Sequence, residues 1–278
     1  MIFRIAALFF ALNSPNYVIA EVAPDITTIA EGYNLIAKLP CIACPYLYQD
    51  TSKGKDEPWT ERKDDNALLL NISLSLPFDV AHLSINNAPL FTPSKIQPRI
   101  YANQVFLDTS VDDLHHLIAS NNQLDSLGGA YFGLSYAYSL QPIKGIKNAL
   151  VFHFDILQLW SDLPEPPITV VLDDAKQKML EVVFLQRPLL SAGDAPNSLE
   201  IVRAELVPRP PSQGTTTSKS RSRKIMNFHD WDAHGKKGTP SHLLNSASAS
   251  VTSYLTSGAW ALFLFIMAII ALFVLLCL

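Results

Sequence analysis

The chain has 278 residues, 49% of them hydrophobic, and a formal net charge of −4. That length allows one or two domains, and the mildly acidic balance gives no case for a nucleic-acid partner. No G-x-S-x-G, P-loop or G-x-G-x-x-G stretch occurs, so the common hydrolase, phosphate and dinucleotide sites have no sequence support.

In chain order, the first twenty residues read as a secretory signal peptide. Met1 to Arg4 carries one positive charge, Ile5 to Leu12 is apolar, and Val18-Ile19-Ala20 supplies a small-residue cleavage pattern. The apolar run is shorter than the roughly 20 residues that a bilayer span needs. Residues 21–66 are mixed and polar and read as an N-terminal extension. They contain Cys41-Ile42-Ala43-Cys44, a C-x-x-C pair. In an oxidising compartment the default for such a pair is a local disulfide. A redox site would call for a surrounding βαβ pattern, which is missing, and a zinc site for a second pair of ligands.

Residues 67–207 carry short strand signals separated by turn residues. Leu70, Ile72, Leu74 and Leu76 alternate with polar partners, and the sequon Asn71-Ile72-Ser73 falls on that polar face, where a glycan would sit. Further strands are predicted at 81–85, 100–107, 131–140, 149–159, 168–172, 179–185 and 199–207. Turn signals such as Asn86-Asn87 stand between them. A single helix is predicted at 111–126, where Val111, Leu114, Leu117 and Ile118 share a face. The acidic pairs Asp112-Asp113 and Asp173-Asp174 fall at element ends, where carboxylates cap helices or fill turns. The predicted class is mainly β: an antiparallel β-sandwich ectodomain with one short helix.

Residues 208–258 shift to Pro, Ser, Thr and basic residues and read as a stalk. Within it, His229, Asp230, Asp232 and His234 are weak candidates for a divalent-metal site, with His242 beyond them. A solvated or sheet-docking segment is the favoured reading, because no rigid frame is visible in the sequence. No cofactor is called for.

Residues 259–278 contain no charge, Pro or Gly, which fits a membrane-spanning helix flanked by Trp260 and Tyr254. The same end also fits a GPI signal. Asn245-Ser246-Ala247 is the small triplet, with Asn245 and Ser246 as candidate attachment residues, and Ser248 to Gly258 is the spacer. The absence of a following Lys or Arg leans toward the lipid anchor.

Several of these stretches occur in a familiar order. Leu39-Pro40-Cys41 through Cys44-Pro45 is followed by Ala67-Leu68-Leu69-Leu70-Asn71, then Leu83-Ser84-Ile85-Asn86 with Leu90-Phe91. Leu134-Ser135-Tyr136, Leu140-Gln141-Pro142 and the strand from Leu150 to Leu157 complete it. In this the chain resembles an uncharacterised domain family of fungal secreted and membrane proteins, over about Leu39 to Pro208. The resemblance implies a fungal source and a secretory β-rich domain. It implies no activity and carries over no functional residue.

The expected function is therefore a membrane-attached protein of the secretory pathway or cell surface. Its β-rich luminal or extracellular domain would bind a protein or glycan partner or serve a structural role, with the lipid bilayer as a second partner. Two alternatives from other classes are a secretory enzyme acting on cell-wall material and a thiol-handling factor of the endoplasmic reticulum using Cys41 and Cys44.

Overall fold

The structure, a computed structural model, describes residues 21–52, 54, 57–75, 82–90, 97–119, 130–146, 148–186, 199–209, 223–232 and 234–277. The predicted signal peptide lies outside them, as does the end of the predicted helix beyond Ala119.

The strands in chain order are β1 (Ile26–Ala30), β2 (Asn34–Cys41), β3 (Tyr46–Tyr48), β4 (Thr60–Arg62), β5 (Asn66–Ser75), β6 (His82–Ile85), β7 (Ala88–Pro89) and β8 (Tyr101–Phe106). After helix α1 (Val111–Ala119) come β9 (Tyr131–Pro142), β10 (Ala149–Ser161), β11 (Ile168–Val171), β12 (Lys178–Gln186), β13 (Leu199–Pro208) and β14 (Lys224–Met226). A 3-10 turn at Phe228–Asp230 leads to the hairpin β15 (Trp231–Asp232) and β16 (Gly235–Lys236). The helices α2 (Pro240–Leu255) and α3 (Gly258–Cys277) follow.

One antiparallel path runs β1-β2-β5-β8-β9-β10-β12-β13. It nearly closes on itself, because the Ile201 amide of β13 donates to the carbonyl of Gly32, next to β1, at 2.8 Å. Further along, the Gln177 side chain bridges the other gap: its Nε2 donates to the Pro40 carbonyl at 2.8 Å and its Oε1 accepts from the Ile42 amide at 3.0 Å. The mainly β, antiparallel class read from the sequence is what the structure has. Among the described residues the long strands belong to one sheet, and the strand order does not show two separate stacked sheets.

The long strands each serve two neighbours along one edge. β8 takes Asn66–Leu69 of β5, and β6 takes Ile72–Ser75. β12 takes Ala149–Phe154 of β10, and β11 takes Gln158–Ser161. β8 takes Tyr131–Gly133 of β9, and β14 takes Tyr136–Tyr138. This sharing lets the sheet curl around one core, in which Leu68, Leu70, Ile72, Phe132, Tyr136, Phe152, Phe154 and Phe184 are fully or almost fully buried.

Register sets which residues face out. In β10, Phe152, Phe154 and Ile156 point into the core. A bulge between Ile156 and Gln158 then changes the phase, so Leu159 is buried and Trp160 turns outward. On the outer face, α1 lays Leu114 against Ile36 of β2 and Leu117 against Ala67 and Val105 of β5 and β8. Ser110 begins this helix: its Oγ accepts from the Asp113 amide at 3.1 Å and donates to the Asp113 carboxylate at 2.7 Å, a reciprocal cap.

The boundaries drawn at 66/67 and 207/208 do not coincide with breaks in the sheet. β1 and β2 belong to the main path, and β5 begins at Asn66. Within 208–258, Lys224–Met226 adds a strand to β9 and Met226 and Phe228 are buried. Residues 210–222 lie outside the described residues.

Candidate functional site

A strap formed by residues 223–232 and 234–236 lies on the outer surface. Tyr101, Gly133 and Trp160 face each other across three adjacent strands. Two aromatic side chains thus flank a glycine, leaving a notch one side chain deep. Phe228 fills it. Its ring stacks on Trp160 with centroids 5.1 Å apart and meets Tyr101 edge-on at 5.3 Å. The Phe228 amide donates to Ser135 Oγ at 2.9 Å. Above the ring, the Arg99 guanidinium lies 4.7 Å from its centroid, and Arg99 Nε donates to the Trp231 carbonyl at 2.8 Å.

A second fastening lies nearby. Asp155 is on the outward side of β10 yet only 8% exposed. Its Oδ1 accepts from Arg209 Nε at 2.7 Å and its Oδ2 from Arg223 at 3.1 Å. Arg209 also donates to the carbonyls of Leu172 and Ile156. One carboxylate therefore holds both ends of residues 209–223 against the sheet.

The four weak metal candidates are not brought together. His229 packs edge-on against Trp160, its ring 5.4 Å away. Asp230 accepts from the Asn227 side chain at 3.1 Å. Asp232 Oδ2 pairs with His242 Nε2 at 2.8 Å, and its Oδ1 accepts from the His234 amide, also at 2.8 Å. Among the described residues no group of three or more His, Cys, Asp or Glu could hold a metal ion. The hydrogen bonds from His242 and then His234 hold the Asp232 carboxyl below its ordinary value. What this cluster does is dock α2: Asp232 grips its first turn, where Thr239 is the N-cap, and Asn245 Nδ2 donates to the His234 carbonyl at 3.1 Å.

Cys41 and Cys44 form a disulfide with Cα atoms 5.5 Å apart. The turn is braced by Gln177 and by Asn66, whose Nδ2 donates to the Cys44 carbonyl at 2.9 Å. Both cysteines are buried, and both line an open cleft of about 780 Å³ between the turn, residues 61–65 and β11. That wall is charged: Glu61, Asp64 and Asp65 carry carboxylates, and Arg62 and Lys63 between them carry cations.

Lys38 is a buried cation that the sequence did not single out. Its Nζ donates to the carbonyls of Ala23 at 2.6 Å and Leu107 at 2.8 Å, which fastens the N-terminal segment to the sheet. Desolvation lowers its pKa, with Asp25 and Asp108 opposing the shift.

Asn71 lies in the middle of β5, half-buried, with Oδ1 enclosed and without a hydrogen-bond partner among the described residues. The Asn71 amide donates to Asn86 Oδ1 at 2.6 Å. Asn245 and Ser246, the candidate attachment residues, sit inside α2. α3 contains an 18-residue span, Trp260–Cys277, that is long and apolar enough to cross a membrane, and none of it is buried.

The motifs behind the strap were faint in sequence. A glycine inside a strand, with an aromatic on each neighbouring strand, is a signal for close approach, but the cross-strand partners cannot be read without the register. Compared with known protein families, with curated proteins and with solved structures, the chain matches none.

Proposed function

We propose that this chain is a membrane-attached protein in which α3 crosses a bilayer and the β domain stands on the luminal or extracellular side as a binding or structural module. The observation that carries the reading is the contrast within one chain. Phe132, Phe152 and Phe154 are wholly buried, while the span Trp260–Cys277 of α3 has none of its residues buried. An all-round apolar helix has no stable place in water and belongs in lipid. Support for the secretory side comes from the signal-like residues 1–20 and the disulfide. Kinship with the uncharacterised fungal family is proposed on residue order alone.

Two modes of attachment are separable. We favour the helix over the GPI anchor, because Asn245 is held within α2 and bonded to His234. An epitope placed after Leu278 stays on the mature membrane protein if the helix is retained, and phosphoinositide-specific phospholipase does not release it. Loss of the epitope with release by the enzyme shows the lipid anchor instead.

One observation favours a second reading, thiol handling: Cys41 and Cys44 both line the 780 Å³ cleft. Replacing both with Ser separates the two. Loss of thiol exchange with the fold intact supports handling, and loss of the fold supports a structural disulfide.

A further inference from the structure

We infer that α2 is a membrane-surface helix: it lies in the headgroup layer of the bilayer that α3 spans, and its apolar stripe is the lipid-binding face. The inference rests on the membrane reading of α3.

The sequence of α2 places its large apolar side chains on one side. At about 100° per residue, Leu243, Leu244, Ala247, Val251, Tyr254 and Leu255 fall within an arc of about 120°, the width of a buried helix face. Apart from Ala247, these residues are between 48% and 71% exposed, so no part of the described protein covers them. The opposite side is occupied. His242 reaches Asp232 and Asn245 reaches the His234 carbonyl, so the hairpin β15–β16 holds α2 by its polar face and turns the stripe outward.

Three features favour lipid as the occupant. The stripe runs directly into the spanning helix: α2 ends at Leu255, α3 begins at Gly258, and the Tyr254 and Trp260 rings pack 5.7 Å apart across the break. That places an aromatic pair at the level where such rings sit at a membrane interface. No Asp, Glu, Lys or Arg occurs from Pro240 to Leu278, so nothing charged opposes partial insertion. Lys236 and Lys237, both exposed, stand just before α2, where they can meet lipid phosphates. With its polar face fixed to the hairpin and its stripe in the interface, α2 would set the β domain at one height and tilt on the membrane.

The test uses the full chain in vesicles of phosphatidylcholine and phosphatidylglycerol. In a Cys277→Ser background, Leu244→Cys, Val251→Cys, Thr252→Cys and Ser253→Cys each carry an environment-sensitive fluorophore. The expected result is several-fold stronger quenching by lipid-borne nitroxides at 244 and 251 than at 252 and 253. Equal quenching at all four sites by a water-soluble agent, in a chain that floats with the vesicles, overturns the inference and leaves the attachment reading standing. Protection at 244 and 251 that lipid nitroxides do not sense, with short label-to-label distances between copies, also overturns it and assigns the stripe to a second copy of the chain. A chain that does not float overturns the attachment reading itself, and the inference with it.

Discussion

Phe228 lies flat across Gly133: a Cβ built on that glycine would stand 2.4 Å from the Phe228 ring. The ring packs in a notch between Tyr101 and Trp160, so it cannot simply swing aside. Gly133→Ala is therefore expected to destabilise the full chain by about 1–3 kcal/mol, in the range of overpacked sites. Phe228→Ala empties the notch at a cost of about 3–5 kcal/mol. In the double variant the cost of Gly133→Ala should largely vanish, since the clash it creates is gone. Denaturant unfolding of the four proteins measures this. Additive costs would mean that the two residues do not meet.

The Asp155 clamp makes an asymmetric prediction. Asp155→Ala leaves the Arg209 guanidinium largely buried without its counter-charge, a loss of about 3–5 kcal/mol. Arg223→Ala removes the partner with the half-exposed side chain, and a pair of that kind is worth about 0–1 kcal/mol. Limited proteolysis within residues 209–223 should accelerate strongly in the first variant and little in the second. Equal effects would contradict the roles assigned here.

The strands were legible where periodicity was clean. The reading at 149–159 falls inside β10, and that at 199–207 inside β13. Asn86-Asn87 forms the predicted turn, both residues with positive φ, between β6 and β7. β2 was hidden because it is covered on both faces, by the main core on one side and by Leu114 of α1 and Ala23 on the other, so Leu35 to Leu39 show no polar alternation. β14 is three residues long and follows basic residues, and its sheet pairing depends on the edge of β9 that β8 leaves free. The Asp155 clamp joins residues 54 and 68 positions apart, a contact that local pattern does not encode. The candidate metal residues shared a short stretch of sequence, but turn geometry sends His229 to Trp160 and Asp232 to His242.

The contribution of Asp232 to the docking of α2 should be lost in acid. The Asp232 carboxyl is held below its ordinary value by the His242 and His234 hydrogen bonds. A depressed carboxylate contributes its full stabilisation above the unfolded value, about 3.9. That contribution is lost as pH falls through the lower folded value. A spin label at Ser253 should stay restricted from neutral pH down to about 4, on that reference value, and loosen below it. Asp232→Asn should remove the acid transition. A label that stays restricted throughout acid titration would contradict the Asp232–His242 contact.

The Cys41–Cys44 turn is expected to be structural. Closing so short a loop contributes about 2 kcal/mol in the chain-entropy view. Gln177→Ala should cost a further 1–3 kcal/mol or so, by leaving the Ile42 amide and the Pro40 carbonyl unpaired. Thermal unfolding with and without reductant reads both effects. A double Ser variant of native stability would contradict the structural role.

Whether α3 holds the protein in a bilayer is read by alkaline-carbonate extraction of membranes. The full chain and a chain ending at Ser257 are expressed side by side. The full chain is expected to stay in the carbonate-resistant pellet, and the shortened chain, which lacks α3, to move to the supernatant. A full chain extracted by carbonate, or a shortened chain that resists it, would mean that α3 is not the membrane anchor.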